Sequence, residues 1–462
     1  MIPTLLAIAA GLVVLLLAVG KVPLRYNLRN LTVRWPITVL ILTAFILVIG
    51  LLTWMLAFVN GMRRLTEGTG RPGNVLVLAE SATDETFSTL NTGDLSEIEN
   101  QPEVVRHADG RPLASRETYL IVNQPVENAL PGRPKRRFLQ VRGIEDPVLA
   151  AAVHELRLAP GGSWFSQAGV QAAPGAAGQS ASEPTAIQAV LGEGVARELA
   201  RDRTPQQAAA AQNPNRLDVG ETFRLGHRTW VVVGIMESSG STFNSEIWAK
   251  QSLIGPIFGK ETFTTLVVRT RDDAAARQFK DFLNARPDDA APADADTAPR
   301  ARYKKASVSA YVESDYYAAM SETNEQFLWA TGFVTVVISI GAVFGVMNTM
   351  FAAVNHRIKD IGVLRVLGYA RWQILVSFLL ESLVIAILGG LLGCALGSLA
   401  HGWEATSVVS SHQAGGKFVV LKLVVDAQTT AVGIVLALAM GILGGLLPSL
   451  SAMRLRTLEA LR

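Results

Sequence analysis

The chain has 462 residues, enough for two or three domains, and 49% of them are apolar. Lys and Arg number 42 against 39 Asp and Glu, so the formal net charge is only +3, too small a surplus for nucleic acid to be the main partner. The single cysteine, Cys394, lies inside an apolar run, which excludes an internal disulfide and any metal site built on cysteines.

The apolar residues are gathered in blocks around a polar middle, the layout of a membrane protein. Residues 3–20 form an apolar run with no basic start and no small-x-small cleavage pattern, so it reads as an uncleaved span rather than a signal peptide. Lys21, Arg25, Arg29 and Arg34 follow with no acidic residue among them, which assigns them to the cytoplasmic side. Leu24, Leu28, Leu31 and Trp35 recur at helical spacing, so 21–35 is predicted as a basic amphipathic helix on the membrane surface, either a lipid anchor or a partner contact. Further spans are predicted at 36–60, 327–353, 374–400 and 429–447. With the first run entering, the basic connections 21–35, 354–373 and 448–462 all fall inside. The polar segments 61–326 and 401–428 then fall outside.

Within 61–326, short runs rich in β-branched and aromatic residues predict strands at 74–78, 118–122, 137–142, 229–235, 264–269 and 307–312. Ile187, Leu191, Val195 and Leu199 fall at four-residue spacing and predict a helix, as do Ala276, Phe279 and Leu283. A mixed α+β domain follows. The stretches 167–184, 204–215 and 286–299 hold little apolar bulk and read as loose insertions or linkers. Tyr303 to Gln326 is expected to lead as helix into the next span, either transmitting motion or serving as a plain stalk.

From Val354 to Gln373 the chain reads VNHRIKDIGVLRVLGYARWQ between two spans. Val354, Ile358, Ile361 and Arg365 repeat as a helix face does, and Gly368 supplies a left-handed stop. This is a short amphipathic helix on the cytoplasmic side, placed to be gripped by something there. In the following span Glu381 is the one ionisable residue past the membrane edge. It reads either as a tie to Arg371 or Arg365 or as part of a relay, and a relay needs a second buried titratable group that the spans lack. Gly389, Gly393 and Gly397 at four-residue spacing permit close helix approach, within the chain or between two chains.

No phosphate-binding Gly-rich loop ending in Lys-Ser/Thr occurs, so this chain does not bind ATP in that manner, and no metalloprotease or serine-hydrolase motif appears. The six histidines (107, 154, 227, 356, 401 and 412) are scattered and read as surface residues. Trp164, Phe165 and Phe243 read as ordinary packing under loops, with an apolar substrate site as the rival.

The stretch MNTMFAAVNHRIKDIGVLRVLGYARWQILVSFLLESLVIAILGGLLG resembles the second half of the MacB/FtsX family of ABC-transporter permeases. The matching residues are Arg357, Asp360, Ile361, Gly362, Leu364, Arg365, Leu367, Gly368, Glu381, Ser382, Gly389 and Gly390, and the ending SAMRLRTLEALR matches the family's basic tail. VLGEGVARELA and LDVGETFRLGHRTWVVVGIME resemble, more loosely, the family's periplasmic core domain. The resemblance implies an α-helical integral membrane protein of the inner membrane, with a four-span core and an α+β extracytoplasmic domain between spans two and three. The run at 1–20 is then an extra N-terminal span. It also implies a non-catalytic subunit with no cofactor of its own, ATP and Mg being bound by a cytoplasmic ATPase dimer. The ATPase would meet Arg357, Ile358, Asp360, Ile361, Gly362, Leu364, Arg365 and Gly368. Ile361 would fill a groove with Arg357 and Arg365 at its rim. A second permease chain (the same or a paralogue), the lipid bilayer and a periplasmic adaptor complete the implied partners. The resemblance leaves open export or extraction of a lipoprotein, hydrophobic compound, glycolipid or peptide. A regulator that activates an extracytoplasmic hydrolase without transport is the rival reading. A membrane enzyme would need an acid/base or metal constellation in 61–326 that the sequence does not display.

Overall fold

A computed structural model of the chain describes residues 33, 35–82, 84–126, 136–173, 185–237, 240–285, 307–319, 322–409 and 417–454. The predicted first span, nearly all of the basic segment 21–35, the 286–299 stretch and the end of the basic tail lie outside them. In chain order the elements begin with α1 (Trp35–Glu67), β1 (Asn74–Ala79), α2 (Thr92–Glu99), β2 (Ala114–Pro125), β3 (Arg136–Ile144), α3 (Pro147–His154), β4 (Val170–Ala172) and β5 (Thr185–Gly192). Next come α4 (Glu193–Ala200), α5 (Pro205–Ala210), β6 (Thr222–Leu225), β7 (Arg228–Met236), a 3-10 turn (Thr242–Ser245), β8 (Glu246–Lys250), α6 (Gln251–Phe258), β9 (Thr265–Arg269) and α7 (Asp273–Asn284). The chain ends with β10 (Val308–Val312), α8 (Glu313–Ala319), α9 (Glu322–His356), α10 (Ile358–Val366), α11 (Arg371–Ser398), β11 (Glu404–Val409), β12 (Lys417–Lys422) and α12 (Ala427–Arg454).

Two units result. The described residues within 1–61, 325–403 and 422–462 form a helical unit, and those within 62–324 and 404–421 form a sheet unit. Among the described residues four helices are long and apolar enough to cross a membrane, at Thr38–Leu65, Trp329–His356, Arg371–Ser398 and Ala427–Arg454. Each has 28 residues, about 42 Å at the α-helical rise, against a hydrocarbon core of about 30 Å. They close on one another through glycine. A Cβ on Gly393 would stand 2.9 Å from Ile49 Cβ of α1, and one on Gly441 of α12 would stand 2.6 Å from Ala386 Cβ of α11. Gly389 faces Phe45 and Gly397 faces Thr53 in the same way, so the predicted glycine row lies against α1 of its own chain.

The sheet unit is built on ten strands in the order β10-β1-β9-β2-β3-β8-β5-β7-β6, with β4 on β5. The β3–β8 and β5–β7 pairs are parallel and the others antiparallel, which makes the sheet mixed. All six predicted strands are present. The predicted helix through Ile187 and Leu199 is instead the strand β5 followed by α4. Ile187, Ala189 and Leu191 enter one core cluster while Ala186 and Val190 enter another, so β5 is buried on both faces and its apolar run mimics a helical period. Gly192 then turns the chain where any Cβ would strike the Phe243 carbonyl. Within the 167–184 stretch, Val170 pairs with Ile187 and brings β4 into the sheet, which corrects the loose reading there, and residues 174–184 lie outside the described residues. In 204–215, α5 buries no residue. Of 303–326, residues 308–312 form the edge strand β10 before the helices begin.

Strand register decides the least expected feature of the sheet unit. Tyr119 lies opposite Arg142 on β3, and Arg142 opposite Trp248 on β8, so their side chains share a face with Glu117 and Glu246 two residues away. The fully buried Arg142 guanidinium donates from Nε and Nη2 to the two oxygens of Glu246, each at 2.7 Å. Its Nη1 donates to Glu85 at 2.9 Å and to Glu117. His154, at the end of α3, is buried too, which corrects its assignment to the surface: Nε2 lies 2.7 Å from Glu117 and Nδ1 3.1 Å from Glu313. Asn74 Nδ2 and the Arg71 backbone N–H donate to Glu313 at 2.8 and 2.9 Å. Burial by itself would lower the His154 pKa, but the charge and hydrogen bond of Glu117, followed by those of Glu313, push it up to about 10. Burial would raise Glu117, but Arg142 and then His154 pull it down to about 2.

The signs set a pH window. His154 titrates above its ordinary 6.5 in the folded state, so its contribution is whole below pH 6.5 and is lost as pH rises toward about 10. Glu117 titrates below its ordinary 4.5, so its contribution is whole above pH 4.5 and fades as pH falls toward about 2. Urea unfolding of the full chain, followed by tryptophan fluorescence, should therefore show falling stability as pH rises from 6.5 toward 10. In His154→Gln the slope should be much reduced, with about 3 kcal/mol lost at neutral pH because Glu117 keeps a buried charge short of a partner. Equal alkaline slopes in the two proteins would refute this assignment.

Candidate functional site

The stretch between the second and third apolar helices of the described chain is not one helix. α9 runs to His356, Arg357 leaves helical geometry at φ −111° and ψ 15°, and α10 resumes at Ile358. The interruption contains neither proline nor glycine. What stands there is a side chain drawn inward: Arg357 donates from Nη1 and Nη2 to the two oxygens of Glu381 on α11, at 2.8 and 3.0 Å. Its guanidinium also lies over the Phe378 ring, 5.6 Å from the centroid. Glu381 is thus held by Arg357, which corrects the sequence expectation of Arg371 or Arg365. Both of those are nearer in sequence, but Arg357 alone continues the buried stripe of α9.

That stripe explains the other displacements from expectation. Val346, Met350, Val354 and Ile361 are all buried in one cluster with Ile374 and Phe378, and Arg357 sits among them at the same helical spacing. Ile361 is 2% exposed and Gly362 is buried. A side chain already enclosed by its own chain cannot fill a groove in a partner, so Ile361 and Arg357 are corrected from partner contacts to internal anchors. Ile358, Leu364 and Arg365 are half-buried, with Arg365 Nη1 reaching the Tyr369 carbonyl at 3.4 Å. The backbone of Asp360 belongs to α10.

The outward face of α10 is carried by Lys359, Val363 and Val366, with Leu367 beside them. Val363 is 49% exposed, Val366 68% and Leu367 70%. Three large apolar side chains are thus left uncovered by the rest of the chain on one short helix face. Gly368 closes the helix at φ +93°, where the Tyr369 N–H reaches back to the Leu364 carbonyl at 3.1 Å. α11 starts three residues later, with Gln373 Oε1 accepting from the Ala370 N–H at 2.8 Å. Spacing alone marked α10 as amphipathic, yet which stripe turned inward depended on Glu381, 24 residues further on.

Elsewhere the sequence candidates resolve into packing. Phe243 and Phe165 are buried with Trp248 in one cluster, and Trp164 packs beside Trp248 with ring centroids 6.0 Å apart. Among the described residues no group of three His, Cys, Asp or Glu side chains is placed to hold a metal ion.

Comparison with known proteins agrees with this architecture. The MacB-like periplasmic core domain family matches residues 38–286, and the FtsX-like permease C-terminal family matches residues 332–457. The macrolide export ATP-binding/permease protein MacB of Burkholderia cenocepacia (strain HI2424) is 24% identical over 359 residues, covering 76% of this chain and 46% of the relative. The chain thus spans about half the length of the curated relatives it matches. The uncharacterized ABC transporter permease YknZ of Bacillus subtilis (strain 168) is 32% identical over 125 residues, covering 26% of this chain and 27% of that protein. The solved periplasmic region of MacB from Actinobacillus actinomycetemcomitans aligns with a TM-score of 0.31 at 14% identity, covering 55% of this chain and 94% of that one. With one family match covering most of α1 and the sheet unit as far as residue 286, and the other the last three long helices, this chain belongs to the MacB/FtsX family of ABC-transporter permeases, multi-pass membrane proteins with a large extracytoplasmic domain.

Proposed function

We propose that this chain is the permease subunit of an ABC transporter that couples ATP hydrolysis by a separate cytoplasmic ATPase dimer to movement of its extracytoplasmic domain. ATP and Mg would be held by the ATPase, and the work would be export or extraction of a lipoprotein, hydrophobic compound, glycolipid or peptide. The observation that carries this reading is the two-sided α10. Its inner face is pinned into the membrane helices by Ile361 and the Arg357–Glu381 pair, and its outer face offers Val363, Val366 and Leu367. A helix so built is gripped from one side and passes displacement to α11 on the other. The bidentate pair favours this, because two parallel hydrogen bonds fix orientation as well as distance.

A second permease chain has its own support. On α9, Gly341 and Gly345 have no atom within 4 Å of where a Cβ would stand, and the exposed Asn348 follows one turn later. Small residues four apart admit a second helix closely, and an amide facing lipid has no hydrogen-bond partner unless one arrives.

Two tests follow. Leu367→Asp should cut the ATPase recovered per mole of folded permease from co-expressing cells by about thirtyfold, the equivalent of about 2 kcal/mol at an interface anchor. Lys359→Ala should be mild, and Ile361→Asp should lower the yield of folded permease by placing a charge in the helical core. Undiminished recovery with Leu367→Asp would mean that α10 is not the docking element. For the dimer, Gly345→Leu should weaken self-association in detergent by about 1 kcal/mol, read by native gel and cross-linking. An unchanged dimer fraction would remove α9 from the interface.

A further inference from the structure

The chain passes between the membrane helices and the extracytoplasmic domain at four places, near residues 61, 324, 403 and 421. Within the domain, the residues that follow or precede these passages all lead to one short element, the 3-10 turn Thr242–Ser245. After α1, Thr69 Oγ1 accepts the Thr242 N–H at 2.8 Å, and the neighbouring Gly68 packs so tightly on Gly240 that a Cβ would overlap its carbonyl. At the hairpin β11–β12, which joins α11 to α12, Val420 is held at both backbone groups. Its N–H donates to Ser245 Oγ at 2.7 Å, and its carbonyl accepts from Asn244 Nδ2 at 3.4 Å. The other strand of that hairpin is tied by Glu404 to Arg197, which also grips Glu193 on α4. On the way out to α9, Glu313 faces His154, and the His154 ring lies 4.8 Å from that of Phe243.

The turn itself is buried along its whole length and anchored behind. Asn244 Oδ1 accepts the Gly194 N–H at 3.0 Å at the start of α4, and Gly192 approaches the turn so closely that a Cβ would overlap the carbonyls of Phe243 and Asn244. The next residue is Glu246, the bidentate partner of Arg142. Displacement of the turn therefore has a stiff path into the core charge cluster and little free volume to absorb it.

We infer that Thr242–Ser245 is the node that gathers movement from the membrane helices and delivers it to the sheet, with Asn244 and Ser245 as the positioning residues that grip the α11–α12 hairpin. The inference rests on the proposed coupling to an ATPase for its purpose, but the node itself can be tested without one. In hydrogen–deuterium exchange on the full chain in lipid nanodiscs, Asn244→Ala/Ser245→Ala should speed exchange at 417–422 by roughly thirtyfold, as expected for losing two hydrogen bonds. If the turn is a node, exchange should also quicken at 67–70 and 313–319, where no bond has been removed. Quickening confined to 417–422 would overturn the inference. Should the double variant fold poorly, Ser245→Ala alone removes one acceptor and should give the same pattern in smaller degree.

A second arm uses the permease co-purified with its ATPase and trapped with ATP and orthovanadate. Trapping should change exchange over 242–250 in the wild type, and the double variant should hydrolyse ATP at the wild-type rate yet lose that change. Retention of the change in the variant would also overturn the node. ATPase recovery and hydrolysis rate report separately on the proposed function, so failure of that reading is visible by itself.

Discussion

A charge removed from water must be matched by its own chain, and each unit of this permease is organised around one such match. In the domain it is Arg142, whose guanidinium spends its donors on Glu246, Glu85 and Glu117 with no solvent contact. In the membrane helices it is Arg357 with Glu381. Buried pairs of this kind are poor sources of net stability, because desolvation offsets much of the Coulomb gain, but removing one partner is severe. Their value is geometric. A guanidinium fork meets a carboxylate in one plane, so elements joined this way keep a fixed relation while apolar neighbours could slide.

The second constraint is backbone proximity. Gly389, Gly393 and Gly397 bring α11 against α1, and Gly441 and Gly445 bring α12 against α11, where the Ser382 hydroxyl donates to the Gly441 carbonyl at 3.0 Å. In the domain, Gly68, Gly70, Gly192 and Gly194 do the same around the passages to the membrane. Gly70 packs on Ser314, so the chain entering the domain after α1 touches the chain leaving it for α9. Close packing of backbone on backbone leaves few soft side chains to absorb displacement, which suits a protein whose work is proposed to be mechanical.

The candidate site was half legible. Val354 to Gln373 declared a short helix between spans, its Gly368 stop and its family pattern, because those follow from local spacing and backbone freedom. The inward stripe was misjudged, because Arg357 reads as a surface cation until Glu381 is known to stand beside it. The charge cluster of the domain was not legible at all. Its members come from β1's exit loop, β2, β3, α3, β8 and α8, and nothing in any one of those segments announces the others.

The sequence by itself determined the order of the four apolar helices among the described residues, six of the domain's strands and the family, since hydropathy, β-propensity and motif spacing are properties of neighbours along the chain. Only the tertiary structure decided that β5 is a strand, that His154 is buried between two carboxylates, and that Val363, Val366 and Leu367 face outward while Ile361 faces in. Each of those depends on a partner distant in sequence: a sheet that covers both faces of β5, Glu117 and Glu313 around the histidine, and Glu381 beneath α10. Local pattern proposes a face, and burial against the rest of the chain chooses which way it turns.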